Sequence, residues 1–287
     1  MVASGQGGTP KRHEPRVLAI VLTYSAPGAL VECLRALMSQ SVTPDAVLIV
    51  DNDGQPSAER SLAAANVQWD RMRVIREPEN TGPAGGHATG LGEFLASDRD
   101  LAWVMDDDCI PEGDCLEALL AAAGERRDGV FVFPDWIAPN GQITHYPAWC
   151  GFLISRDVVA HAGLPRPELV WWGEDTEYLM WRIPTAGYAR QHSDAARVQH
   201  LKARATEKRP GWKYYYEARN SVYLRLRYRR HPSRLFRTIA RLLARIALRE
   251  DQRGRKLGLM ARGTMDGIRG RLGMRVQIGA EQQDRRP

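Results

Sequence analysis

The sequence predicts an α/β protein built on a doubly wound, mostly parallel sheet (Rossmann-like), followed by a basic helical extension. Aliphatic runs suited to burial on both faces, helical spacing between them, and polar or acidic residues where each run stops carry that expectation. Arg16 to Tyr24, RVLAIVLTY, is nearly continuous in aliphatic and β-branched residues, as a strand in the middle of a parallel sheet requires. Ser25 to Gln40 reads as a helix, with Leu30, Leu34, Leu37 and Met38 at helical spacing and Pro27 near the first turn. Ala46 to Val50 is a second strand, ending in Asp51-Asn52-Asp53-Gly54, and Met72 to Ile75 a short third. Gly90 to Ala96 lies in a further helical stretch, and Leu101 to Met105 is a fourth strand stopped by Asp106-Asp107-Asp108. Ligands of such sheets bind at the carboxyl ends of the strands, so Thr23-Tyr24, Asp51-Asn52 and the three aspartates are expected at one edge.

The chain of 287 residues is 44% hydrophobic and 26% charged, close to soluble averages, and holds no apolar run near the ~20 residues that span a bilayer. Residues 1–15 are rich in Gly, Pro and charge and lack the apolar core of a secretory signal, so a flexible lead-in and a cytoplasmic location are expected. The α/β domain is expected over 16–228 and a basic amphipathic helical tail over 229–287. That tail holds 16 Lys/Arg against 5 Asp/Glu, so the net charge of +6 conceals a mildly acidic domain. Within it, Arg234, Arg237, Arg241, Arg245 and Arg249 form one stripe of a helix over Ser233 to Arg249, with Leu235, Phe236, Ile239, Leu242, Leu243 and Ile246 largely opposite. Such a helix either packs on its own domain or docks at the inner face of an anionic membrane. The four cysteines show no metal-binding spacing, and the acidic neighbours of Cys109 argue against a nucleophilic thiol.

Three segments carry chemistry. Placing Asp106, Asp107 and Asp108 side by side costs repulsion that a cation relieves, and at a strand end Asp106 and Asp108 share one side while Asp107 points elsewhere. Hard oxygen ligands of this kind suit Mg2+ or Mn2+; the competing reading is a solvated turn capping a helix near Pro111-Glu112. Glu79 to Gly90, ENTGPAGGHATG, is a glycine-rich turn entering a helix, whose backbone N–H groups suit a diphosphate. It does not fit the dinucleotide pattern GxGxxG. Trp171-Trp172-Gly173-Glu174-Asp175-Thr176-Glu177-Tyr178 sets carboxylates against aromatic faces, which raises a carboxylate pKa toward the working range of a general base. Acidic capping of a helix is the alternative there. Of seven histidines, His200 is singled out because it ends a short run returning to the same sheet edge, with His192 as second choice.

Taken together these segments resemble family 2 of the inverting glycosyltransferases, in its rhamnosyl- and galactofuranosyltransferase branch. The matching pieces, in family order from about Val17 to Asn220, are VLAIVLTYS, VDNDG, ENTGPAGGHATG, WVMDDDCIP, WWGEDTEY with Arg182 and Gly187, VQH and YYYEARN. Ser25 stands where Asn is common, and the tail matches no motif of the family. The resemblance implies a GT-A fold with Thr23, Tyr24 and Asp51 lining the nucleoside site and Asn80, Gly82, Gly85 and Gly86 beside the donor. It implies Mn2+ or Mg2+ held by Asp106, Asp108 and His200, and Asp175 as the base. Asp107 falls on the donor side, while Trp149, Trp171, Trp172 and Glu174 are expected at the acceptor.

The expected reaction is therefore a single displacement from a UDP- or dTDP-sugar onto a hydroxyl of a glycan, glycolipid or small-molecule glycoside. A sugar nucleotidyltransferase would carry a basic Gly-rich loop after the first strand, where this chain has SAPGALVEC. A non-catalytic nucleic-acid binder using the tail is opposed by the acidic strand edge, and no nucleic-acid partner is expected. These features leave the oligomeric state open.

Overall fold

The computed structural model describes residues 15–201, 208–228 and 232–278. Residues 1–14 of the expected lead-in, residues 229–231 and residues 279–287 of the expected tail lie outside the described residues. The chain opens with β1 (Val17–Thr23), α1 (Pro27–Met38), β2 (Ala46–Asp51), α2 (Ser57–Ala64), β3 (Met72–Arg76), α3 (Gly82–Ala96) and β4 (Leu101–Asp106). It continues through β5 (Cys109–Pro111), α4 (Cys115–Ala123), β6 (Phe131–Ile137), β7 (Ile143–Thr144), β8 (Cys150–Ser155) and α5 (Arg156–Ala162). A π-helical turn over Thr176–Arg182 leads into α6 (Ile183–Thr185), then β9 (Gln191–His200) and the helices α7 (Gly211–Arg227), α8 (Pro232–Arg249) and α9 (Arg253–Ile268).

The strand order is β3-β2-β1-β4-β8-β6-β9-β5, with β7 paired to β6. Its first four strands are all parallel, as expected, while β8 runs antiparallel to both β4 and β6, and β6 pairs parallel with β9. Every residue of β1 is buried, because apolar layers cover both faces: α1, α2 and α4 on one side and α3 and α5 on the other. Register fixes the common edge. Thr23 lies opposite Asp51, and Leu22 opposite Asp106, so the polar residues that stop β1, β2 and β4 are level with one another. The antiparallel pair β5 and β9 then brings Cys109 opposite His200, which returns the imidazole to the aspartate turn.

The glycine-rich segment departs from its expected form. Helix α3 begins at Gly82 itself, so Gly85, Gly86 and Gly90 lie inside the helix and are buried. A Cβ on Gly86 would stand 2.3 Å from Leu22 Cδ1, and one on Gly90 2.6 Å from Ile20 Cγ2. These glycines let α3 lie directly on β1.

The C-terminal helices fold back on the domain. Helix α9 packs along α7, while Leu242 and Ile246 of α8 are buried with Tyr214, Ala218 and Met260. Among the described residues no helix is long and apolar enough to cross a membrane.

Candidate active site

A cavity of about 470 Å³ opens at the carboxyl edge of the sheet, lined by Asp106, His200, Trp149, Trp171, Trp172, Glu174 and Asp175, together with Pro83, Trp136 and Thr176. Residues almost a hundred positions apart in sequence thus share one crevice.

The three consecutive aspartates take three directions. Asp106 accepts from His87 Nε2 at 2.9 Å, Asp107 is buried and accepts from Thr23 Oγ1 at 2.6 Å, and the buried Asp108 lies 3.5 Å from His200 Nε2. Asp108, Cys109 and His200 offer ligand atoms within 4.8 Å of one another. That spacing suits two ligands of one ion bound at a little over 2 Å. Cys109 does not compete as a ligand for a hard ion, because burial pushes its thiol pKa well up, with further increments from Cys150 and the neighbouring aspartates. Asp106 is outside that close group and is tied to His87, although it lines the same cavity as His200.

His87 was missed by sequence reasoning. It is fully buried, stacks on Trp149 with ring centroids 4.0 Å apart, and burial drives its pKa down to about 3 against the opposing pull of Asp175. It is therefore neutral at ordinary pH, and its hydrogen bond to Asp106 fixes that carboxylate without adding charge. The available signal was its position four residues after Pro83 on the face of α3 turned to the strand ends.

In the same cavity, Glu174 and Asp175 form a pair of crowded carboxylates. Burial raises the Glu174 pKa well above the usual range, and the charges of Asp175 and Asp106 add to it. Burial likewise raises Asp175, partly offset by the Thr176 backbone N–H, which donates to Asp175 Oδ1 at 2.5 Å. Among the described residues, Glu174 Oε2 and Trp149 Nε1 are buried without a hydrogen-bond partner, although the indole lies near enough to lower the Glu174 pKa slightly. Trp149 is buried, stacked on His87 and with Tyr178 at 6.0 Å, so it walls the cavity and offers no open platform. Trp172, at 38% exposure, does offer a surface.

The tryptophan loop is backbone-strained. Val170, Trp172 and Gly173 all have positive φ, at 63°, 77° and 82°, and the two non-glycine residues there cost energy that neighbouring structure must offset. Helix α7 supplies it: Asn220 Nδ2 donates to the carbonyls of Leu169, Trp171 and Trp172 at 2.8 to 2.9 Å. The buried Arg219 donates to Asn220 Oδ1 and to the carbonyls of Glu168, Leu169 and Gly273. Neither residue was expected at the site, although both lie in the YYYEARN segment. Asn220→Ala is expected to remove the side-chain donor from the Trp171 and Trp172 carbonyls, while Leu169 keeps Arg219, lowering stability by about 1–3 kcal/mol and raising the KM for acceptor more than that for donor, which steady-state kinetics with each substrate varied would separate.

On the donor side the structure assigns different work to several expected residues. Asp51 is fully buried, its carboxylate accepting from Ser57 Oγ and the Ala58 N–H, so it caps α2. Asn52, expected at this edge, bonds Asn80, the Gly82 carbonyl and the Thr81 N–H, clamping the loop that presents Pro83 to the cavity. Asn80 in turn accepts from the Gly82 N–H at 2.8 Å. Gly82, Gly85 and Gly86 do not line the cavity; their space is taken by Val170, Thr81 and Leu22. Tyr24 is 39% exposed at the same edge and precedes Ser25, whose φ of 50° is a left-handed conformation that Asn adopts more readily than Ser. His192 is not in the cavity and bonds Asp135 instead.

A crevice of carboxylates and an imidazole at the strand ends of a mixed α/β sheet is the GT-A architecture, and solved structures share it. The chain superposes on the mannosyltransferase PcManGT from Pyrobaculum calidifontis in complex with GDP-Man and Mn2+ with a TM-score of 0.58, at 18% identity, over 90% of this chain and 88% of that one. GalNAc-T7 with UDP, GalNAc and Mn2+ gives 0.55 at 16% identity, over 66% and 44%. Residues 18–157 match the family described as Glycosyl transferase family 2, and the chain carries a family 2 glycosyltransferase domain. It is 35% identical over 119 residues to the galactofuranosyltransferase GlfT1 of Mycobacterium tuberculosis, covering 41% of this chain and 38% of that protein. It is 32% identical over 94 residues to the succinoglycan biosynthesis protein ExoW of Rhizobium meliloti, covering 32% and 29%. The chain thus spans under two-fifths of the length of these curated relatives.

Proposed function

We propose that the protein is an inverting glycosyltransferase that moves a sugar from a UDP- or dTDP-sugar to an acceptor hydroxyl with Asp175 as base. The observation that carries this reading is one cavity lined by Asp106 and His200 together with Glu174, Asp175, Trp171 and Trp172. Asp108 and His200, with Asp106 beside them, are the residues that would hold Mn2+ or Mg2+, an ion that neutralises the charge on a departing nucleotide diphosphate. Asp175 takes the acceptor proton as the hydroxyl attacks the anomeric carbon from the face opposite the leaving group, so configuration inverts. Its elevated pKa makes it a stronger base than a solvated carboxylate. Trp171 and Trp172 hold the acceptor's C–H face, and Glu174 orients its hydroxyls. The acceptor is a glycan, a glycolipid or a small glycoside.

The test is thermal unfolding with UDP-, dTDP- and GDP-sugars, each with and without Mn2+. A donor present at 100 times its Kd adds about 2.7 kcal/mol of apparent stability, and it is expected to do so only with the ion. No shift with any nucleotide-sugar would remove the reading.

A peripheral membrane contact belongs to the same proposal. Helix α8 buries Leu242 and Ile246 but leaves Phe236 (76% exposed), Leu243 and Leu248 (78% exposed) facing outward, with Ala240, Ala244 and Ala247 between them and exposed Arg237 and Arg241 alongside. An outward apolar stripe flanked by arginines matches an anionic bilayer, where each cation near the surface adds about 1 kcal/mol. The full chain is expected to sediment with anionic but not neutral vesicles, and Phe236→Glu with Leu248→Glu to stay in the supernatant. Equal recovery of both proteins in the supernatant would assign α8 to the fold alone.

A further inference from the structure

We propose that Asp135, His145 and His192 form a second metal site, distinct from the Asp108–His200 group and selective for a late first-row divalent ion such as Zn2+. Three separate segments converge there: Asp135 from β6, His145 from the connection after β7, and His192 from β9. His145 Nδ1 lies 2.6 Å and His192 Nε2 2.7 Å from the same oxygen, Asp135 Oδ1, and the two rings meet edge to face at 5.5 Å. All three ligand atoms lie within 4.8 Å of one another, and a tetrahedral ion at about 2.0–2.2 Å from each would set them about 3.3–3.6 Å apart, so the two nitrogens now hydrogen-bonded to Asp135 Oδ1 at 2.6 and 2.7 Å would move back by roughly 0.6–0.9 Å.

The backbone holds these ligands in place. The β6–β9 register jumps from Pro134↔Ser193 to Asp135↔Arg197, a bulge that re-aims the side chains on either side of it. Beyond Asp135, the Trp136 indole donates to the Tyr146 carbonyl at 3.0 Å, fixing the chain immediately after His145. Phe133 packs against the His192 ring at 5.2 Å and closes one side with apolar surface. Asp135 itself is 8% exposed, whereas His145 is 62% exposed, so one side of the cluster faces solvent and can supply water as a further ligand.

Donor chemistry separates this cluster from the one in the active-site cavity. Two imidazoles and one carboxylate favour Zn2+ or Co2+ over Mg2+, whereas the Asp108–His200 group offers a single imidazole, with the Asp106 carboxylate lining the cavity beside His200. An ion here would join β6 to β9, and those strands carry Trp136 and His200, whose rings pack edge to face at 5.5 Å. The site would thereby stiffen the wall that presents His200 to the cavity. The proposal does not depend on the glycosyltransferase reading.

The experiment uses the full chain, stripped with chelator and titrated with Zn2+ by calorimetry and with Co2+ by visible absorption. Asp108→Asn removes the other group from the titration. The Asp108→Asn protein is expected to bind one equivalent of Zn2+ that excess Mg2+ does not displace, with Co2+ giving ligand-field bands. Adding His145→Gln, a change at an exposed side chain, is expected to weaken binding at least about tenfold and abolish those bands. The proposal is overturned if the Asp108→Asn protein binds no Zn2+, or binds it with the same affinity and Co2+ spectrum after His145→Gln. Failure of the active-site metal reading has a different signature, namely Mn2+ binding that Asp108→Asn leaves unchanged.

Discussion

Asp175→Asn is expected to lower turnover by about a hundredfold or more while donor affinity stays near that of the wild type, the signature of losing a base that acts only in the transition state. The residue lines the cavity with one carboxylate oxygen engaged by the Thr176 N–H, and burial raises its pKa. A base works ionised, so protonation disables it: the rate must fall as pH falls through the apparent pKa of the Glu174–Asp175 pair. Because both pKa values are raised, that acid limb is expected above the ordinary carboxylate range of about 4. Profiles of kcat against pH for the wild type and Asp175→Asn check this, with Glu174→Gln as the comparison. A larger loss from Glu174→Gln would transfer the role to Glu174, and an acid limb unchanged in both variants would remove the pair from catalysis.

Asp108→Asn is expected to weaken Mn2+-dependent donor binding by at least about tenfold, with His200→Ala acting in the same direction, since the two side chains stand 3.5 Å apart and face one ion in the proposed mechanism. Calorimetry of a nucleotide-sugar with and without Mn2+ reads the effect directly. The metal-independent part of donor affinity should be nearly unchanged, because the hydrogen bonds that shape the neighbouring Asn52 loop do not involve Asp108. Unchanged metal-dependent binding in both variants would sink the assignment.

Much of the framework was legible because β1, β2 and β4 are apolar on both faces and stop abruptly at polar residues. That pattern specifies a central parallel sheet and, by register, a common edge for Thr23, Asp51 and Asp106. Less legible was which of those edge residues turns into the cavity. Asp51 and Asp107 have the same chemistry as Asp106, yet Asp51 caps α2 and Asp107 binds Thr23. The glycines of α3 read as a ligand cradle because glycine marks any close approach; here the approaching group is the protein itself, at Leu22 and Ile20.

By itself the sequence determined the alternation of strands and helices, the acidic strand end, the aromatic-acidic segment and the basic stripe of α8, since each is a local pattern of a few consecutive or periodic residues. Only the tertiary structure decided that His87 buttresses Asp106, that Arg219 and Asn220 hold the strained Trp171-Trp172 loop, and that Asp135, His145 and His192 meet. These contacts join positions from 10 to 57 residues apart. They depend on strand register, the β6–β9 bulge and the return of α7 onto the domain, none of which has a periodic signature in the chain.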